Sequence, residues 1–201
     1  MSRRTRTEID VGLFRERILD VAEEHFRRIG YQKTSVADIA FCLGMSSASI
    51  YRYFPSRAEI NAAICGRFVA ETVQSADTIA RIPAAARQRL KSVLVALHQK
   101  RKTMVIEERA VHDLIVVATE ENWAVIRAHA AQILALVETI VRQGAEAGEF
   151  SIDDAARAAR SIMNAFLPFY HPILVHHGIR SGEDTESGLR DQLSFVFKAL
   201  G

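Results

Sequence analysis

Cysteine is nearly missing: Cys42 and Cys65 are the only two in 201 residues. They make no disulfide framework, and their spacing is not that of a metal-binding motif. Four prolines and ten glycines leave long stretches free of helix breakers. No run of about 18 apolar residues occurs, so no membrane span is expected. The opening MSRRTRTEID lacks the apolar centre of a signal peptide. These absences point to a soluble protein of the reducing cytoplasm with no membrane partner. Nucleophile elbows, glycine-rich phosphate loops and HExxH sequences are absent too, which removes the usual marks of an enzyme.

What remains is globular material, 49% hydrophobic and 25% charged, enough for a substantial core in one or two domains. The net charge of +2 is unevenly spread. Residues 1–57 carry ten Lys/Arg against seven Asp/Glu, and the remainder sixteen against seventeen. This split agrees with a phosphate-facing first domain and an effectively neutral second one.

Apolar spacing predicts a first helix over about 11–29, with Leu13, Phe14, Ile18, Leu19, Ala22 and Phe26 on one stripe. Gly30 is a natural stop. Ser35-x-x-Asp38 resembles a capping box and opens a second helix to about Leu43, with Val36, Ile39, Ala40 and Leu43 inward. Ala40 is small where two helices cross, Gly44 suits a turn with positive φ, and Ile50 anchors the next helix, capped by Ser46 or Ser47. The spacing Ala40–Gly44–Ile50 fits a helix-turn-helix that reads DNA. It also fits any helical hairpin with a glycine turn.

The flanking residues narrow this. ILDVAEEHF, GYQKTSVADIA and GMSSASIYRYFPSRAEI together resemble the DNA-binding domain of the tetracycline-repressor (TetR) family over Ile18–Ile60. The ending Tyr51, Tyr53, Phe54, Ser56, Arg57 is the specific part. Ala48 stands where the family often has glycine, and Arg57 where it often has lysine. Both substitutions keep the small size or the charge.

The resemblance implies roles. Ser46, Ser47, Ala48 and Ser49 open the reading helix, which enters the major groove by its N-terminal end. Serines donate with little base preference, and Ala48 suits a thymine methyl. Tyr51 and Arg52 face DNA, with Arg52 equally suited to guanine or phosphate. Thr34 and Ser35 are placed to meet a phosphate at the second helix's start. Tyr53 and Arg57 resemble the family's phosphate clamps, and Phe54 resembles its core position. Arg3, Arg4 and Arg6 read as a flexible basic arm, either solvated or reaching the minor groove or backbone.

From Ser56 onward the chain reads as wholly helical. Segments are expected over about 56–82, 84–101, 103–119, 122–147 and 153–177, with a surface loop over 178–188 and a last amphipathic helix over 189–200. The expected architecture is therefore all-α: a three-helix helix-turn-helix domain, residues 1–56, and a helical effector-binding and dimerisation domain, residues 57–201. The resemblance implies a homodimer through 153–177 and 189–200, whose two reading helices sit on half-sites about 34–36 Å apart. The alanine-rich and phenylalanine-rich faces of those two helices fit such an interface, or equally an intramolecular core. A repressor released by a small molecule is the function implied.

Phe68, Met104, Ile115, Trp123, Phe166, Phe169 and Tyr170 are candidates to line the effector pocket, each also readable as plain core. Glu108 and His112 share a helix face, while His129 and His171 interrupt apolar runs. Glu108, His112, His129 and His171 form a possible set for a divalent metal such as zinc, or polar contacts to an organic ligand, or ordinary buried histidines. No cofactor is required by the sequence. Pro168 and Pro172 either kink a helix and open the pocket or end that helix near His171. Two other readings remain: an architectural DNA binder without an effector, and, more remotely, a hydrolase using His112, Asp113 and His171.

Overall fold

The computed structural model describes residues 2–201, with side chains from Val11 onward. All regular structure among the described residues is helical. The chain packs as two compact units. One comprises Met1–Phe68 and Glu108–Trp123, the other Val69–Glu107 and Ala124–Gly201. The packing thus does not divide once, near residue 56. It divides within one long helix, and a distant helix joins the first unit.

That first unit holds α1 (Ser2–Ile29), α2 (Val36–Cys42), α3 (Ser47–Tyr51), the start of α4 (Arg57–Ala80) and α6 (Arg109–Glu120). The backbone of α1 begins at Ser2 rather than near Val11, so the basic segment expected to be a loose arm continues the helix. The side chains of Arg3, Arg4 and Arg6 lie outside the described residues. Ile18, Leu19, Ala22 and Phe26 are buried as the stripe requires, but Leu13 is 59% and Phe14 39% exposed. The buried stripe starts one turn later than periodicity suggested, and Phe14 stacks on Tyr53 with centroids 5.8 Å apart.

Gly30 has φ +85° and ends α1, with its N–H donating to the Phe26 carbonyl at 2.9 Å. The capping box opening α2 is complete. Asp38 N–H donates to Ser35 Oγ at 3.1 Å and Ser35 N–H to Asp38 Oδ2 at 2.9 Å. Those bonds hold the Asp38 carboxyl below its ordinary value, the Ser35 hydroxyl contributing most. Such a cap stabilises by about 1 kcal/mol.

α6 is fastened to α1 by an ion pair, Arg27 Nη1 to Glu108 Oε2 at 2.8 Å, while the Arg27 guanidinium covers the Phe68 ring at 4.7 Å. Arg67 of α4 gathers Glu16, Asp20 and Glu23 of α1. Val111, Leu114, Ile115 and Ala118 bury the inner face of α6.

The second unit holds the rest of α4 with α5 (Ala86–Ile106), α7 (Ala124–Glu146), α8 (Ala155–Ala165), α9 (Leu167–Tyr170), α10 (Pro172–Arg180) and α11 (Thr185–Leu200). α5 runs past Thr103 to Ile106, and the break falls at Glu107 and Glu108, where ψ reaches 50°. α7 is the one helix among the described residues long and apolar enough, by length and composition, to cross a membrane. Its Ile133, Val137, Ile140 and Val141 are buried in the core of this unit with Leu90, Leu94 and Phe197.

The helix expected over 153–177 is three. Pro168 and Pro172 each sit in the first turn of a new helix, where a missing N–H costs nothing. His171, ahead of Pro172, is pushed to an extended ψ of 128°. The prolines therefore end one helix and begin another rather than kink a single one. The loop expected over 178–188 shrinks to residues 181–184. Gly178 and Gly188 are helical contact points, the latter seated where an added Cβ would lie 3.3 Å from Phe169. Asp184 then caps α11 by accepting from the Ser187 N–H at 2.9 Å.

Candidate functional site

The turn between α2 and α3 is built as its residues demand. Gly44 adopts φ +64°, a left-handed conformation that glycine takes without strain. Met45 N–H and Gly44 N–H reach back to the carbonyls of Ala40 and Phe41 at 2.9 and 3.1 Å and close α2. Ser46 is the N-cap of α3, accepting from the Ser49 N–H at 3.2 Å. Ile50 on α3 and Phe54 just after it are fully buried, which fixes the rotation of α3 about its axis. The opposite face is then free: Ala48, Tyr51 and Arg52 are exposed, and Ser47, Ser49 and Tyr53 half-buried.

Several expected DNA contacts are occupied otherwise. Thr34 is buried at 2% exposure, and its hydroxyl donates to the Gly30 carbonyl at 3.0 Å. It fastens the α1–α2 loop and offers no hydroxyl to a phosphate. Ser35 is exposed, yet its hydroxyl donates to Asp38 Oδ2 at 2.7 Å. The Ser46 and Ser49 hydroxyls lie 3.0 Å apart and engage each other. Arg57 donates to the carbonyls of Tyr31 and Gln32 at 2.5 and 2.9 Å, and so clasps the α1–α2 loop. Arg15, which sequence reasoning passed over, donates to the Tyr53 carbonyl and lies over the Phe54 ring at 4.0 Å. Its position on the apolar stripe of α1 gave no separate signal.

The pocket candidates fall in both units. Phe68, Glu108, His112, Ile115 and Trp123 belong to the first, and Met104, His129, Phe166, Phe169, Tyr170 and His171 to the second. Phe68, His112 and Ile115 are core at 1% exposure. Trp123 is half-buried, its indole N–H donating to the Glu121 carboxylate at 2.8 Å. Asp113 is exposed beside buried His112. Consecutive helical residues diverge, so these two form no catalytic pair.

The second unit gathers a buried polar cluster around Arg101 and His98, neither of which sequence reasoning selected. Arg101 is 5% exposed. Its Nε donates to the Tyr170 carbonyl at 3.1 Å and its Nη1 approaches Met104 Sδ at 3.7 Å. The Tyr170 hydroxyl lies 2.5 Å from His129 Nε2. Burial, reinforced by the Arg101 charge, pushes His129 down to about 4. Burial pushes the Tyr170 phenol up to about 12, against the opposing pull of Arg101. At neutral pH both are uncharged, and the hydroxyl and Nε2 share one hydrogen bond. His98 is fully buried, with Nδ1 2.9 Å from the Phe169 carbonyl and Nε2 3.3 Å from Thr185 Oγ1. Burial, then Arg101, also lowers His171. The signal available in the sequence was LHQKR, a histidine and an arginine one turn apart on the inner face of a helix.

The proposed metal set does not assemble. Glu108 is taken by Arg27 and His129 by Tyr170. Among the described residues no three histidine, cysteine, aspartate or glutamate side chains are grouped to hold a metal ion.

Comparison with known proteins agrees with this arrangement. Residues 18–64 match the model of the bacterial regulatory proteins of the tetR family, and residues 86–187 match a tetracyclin repressor-like C-terminal domain. The chain is 29% identical over 170 residues to the probable HTH-type transcriptional regulator ArpR of Pseudomonas putida, covering 79% of each. Solved structures with the same fold include a transcriptional regulator from Cytophaga hutchinsonii, at TM-score 0.67, 18% identity and coverage of 92% of this chain and 97% of that one. FadR of Bacillus subtilis in complex with stearoyl-CoA aligns at TM-score 0.59 and 19% identity, over 92% of this chain and 96% of its own. A regulator from Saccharomonospora viridis in complex with choline aligns at TM-score 0.64 and 22% identity, over 93% and 96%. With both of its parts matched and the helix-turn-helix formed, the chain belongs to the TetR family of transcriptional regulators.

Proposed function

We propose that this regulator binds an inverted-repeat operator in double-stranded DNA as a homodimer and represses in the cytoplasm, releasing DNA when a small organic molecule enters the second unit. The observation that carries the DNA reading is the free face of α3. Ala48, Tyr51 and Arg52 are left exposed because Ile50 and Phe54 anchor the other side. Ala48 meets a thymine methyl, and Tyr51 and Arg52 reach base edges or phosphates. Ser47, half-buried in the first turn of α3, completes the contact from the same helix.

Dimerisation is supported by an exposed apolar strip on α8 and α11. Phe195 is 67% exposed beside a shallow groove of about 190 Å³ shared with Ile152, Ala158, Ala165 and Ala199. Small residues on one helix and a large one on the other suit close packing against a second copy. A dimer covering an operator excludes polymerase, which favours repression.

For the effector, the polar groups to engage are Arg101, His129 and Tyr170, set among Met104, Phe166 and Phe169. A cation beside a hydroxyl–imidazole pair in apolar surroundings selects an organic molecule with acceptor oxygens. Neighbours solved with stearoyl-CoA and with choline bind very different molecules, so the chemistry here is read from this cluster alone. α4 continues from the first unit into the second, and so offers a covalent route from effector to reading helix.

Selection of genomic fragments on the purified protein, followed by fluorescence anisotropy with and without candidate acids and alcohols, tests this. Sequence-specific binding relieved by one compound is expected. Binding without sequence preference, abolished by moderate salt, would instead show an architectural protein.

A further inference from the structure

The first unit carries a groove that the DNA reading does not use. It has a volume of about 690 Å³ and runs between the α1–α2 loop and α6. Three cations stand around it, Arg28, Lys33 and Arg109, against the single carboxylate of Asp113. All four are exposed, and none has an ion-pair partner among the described residues. Its apolar lining is Ile29, Val116 and Val117. Arg109 is the first residue of α6, so the positive end of that helix adds to the field.

The loop forming one wall is held firmly. Arg57 grips the carbonyls of Tyr31 and Gln32, and Thr34 grips that of Gly30. A groove between one fixed loop and one helix is preformed, with no ordering needed before a ligand enters. Cations beside branched aliphatic side chains match a molecule with an anionic head and a flat or linear apolar body.

We propose that this groove is a binding site for an amphipathic organic anion, separate from the polar cluster of the second unit. Three positive charges against one negative favour the anion electrostatically, and Val116, Val117 and Ile29 cover its apolar part. The ligand would rest on the loop leading directly into Ser35 and α2. The binding itself is independent of whether the protein reads an operator.

The test uses the full-length protein and 8-anilinonaphthalene-1-sulfonate as probe, read by its fluorescence. N-phenyl-1-naphthylamine, the same body without the sulfonate, serves as the neutral comparison. Arg109→Glu is expected to weaken binding of the sulfonate by about tenfold, and Asp113→Asn to tighten it by about threefold. Arg157→Glu, exposed on α8, is expected to change neither. Thermal melts establish that each variant is folded, and Asp113→Asn carries the test alone if Arg109→Glu is not. Equal affinity for the sulfonate in all variants would overturn the proposal, as would equal affinity for the neutral compound. If Arg109→Glu lowers DNA binding while leaving the probe untouched, the cations are a phosphate track and no such site exists.

Discussion

The Tyr170 hydroxyl stands 2.5 Å from His129 Nε2, joining α9 to α7 inside the second unit. Neither group faces a carboxylate at this contact. Arg101 is the charge that acts on both. The pair is therefore held neutral by burial, and that neutrality makes stability depend on pH.

His129 titrates near 4 when folded, below its ordinary 6.5. A depressed histidine takes up a proton more readily unfolded than folded. Its contribution is complete above about 6.5 and is lost as pH falls toward about 4. Between pH 7 and 5 this one group is expected to remove about 2 kcal/mol, and His171, shifted in the same direction, adds to the loss. Urea unfolding at the two pH values measures it. His129→Gln should flatten the dependence substantially, and an undiminished slope in that variant would show that the acid sensitivity lies elsewhere.

Gly144 on α7 shows how closely this unit is packed. A Cβ built there would meet Phe150 Cδ2 at 2.3 Å and the Ala86 side chain at 2.9 Å. Phe150 is buried and Ala86 opens α5, so neither retreats cheaply. Gly144→Ala is expected to cost about 1–3 kcal/mol by overpacking. In a Phe150→Leu background the penalty should shrink, because the clashing ring is gone. A double-mutant cycle by urea unfolding reads the coupling, and strict additivity would reject the steric account.

The helix-turn-helix was the most legible part of the sequence, and the reason is local. Gly44, the Ser35–Asp38 box and the Ser46 cap each act over three or four residues, so spacing alone reveals them. Element ends set by distant partners were not legible. The break at Glu107–Glu108 coincides with the carboxylate that Arg27 takes, from 81 residues away. Gly178 and Gly188 resemble loop glycines in sequence, yet they are contact points inside helices, with Gly188 lying against Phe169. The site followed the same rule. Exposed Tyr51 and Arg52 were found because Ile50 and Phe54 identify the opposite face. Thr34 and Arg57 were given to phosphate because nothing in the chain order announces the carbonyls of Gly30, Tyr31 and Gln32. Arg101 was missed because a buried arginine is rare enough that a sequence reading places it on the surface.

The two arginines flanking the end of the reading helix should separate by experiment. Arg52 caps α3 and is exposed, without a described hydrogen bond from its guanidinium. Arg52→Ala should leave the unfolding midpoint within about 0.5 kcal/mol of wild type and weaken operator binding about tenfold. Arg57 holds two backbone carbonyls across the α1–α2 loop. Arg57→Ala should cost about 1 kcal/mol of stability, since the group is exposed and water partly replaces its bonds. It should leave the salt dependence of DNA binding close to wild type. Anisotropy titrations at several salt concentrations, with parallel urea curves, make the comparison. Were Arg57 the phosphate clamp, Arg57→Ala would reduce the salt slope by about one while leaving stability alone, and the clasp seen at Tyr31 and Gln32 would then open when DNA binds.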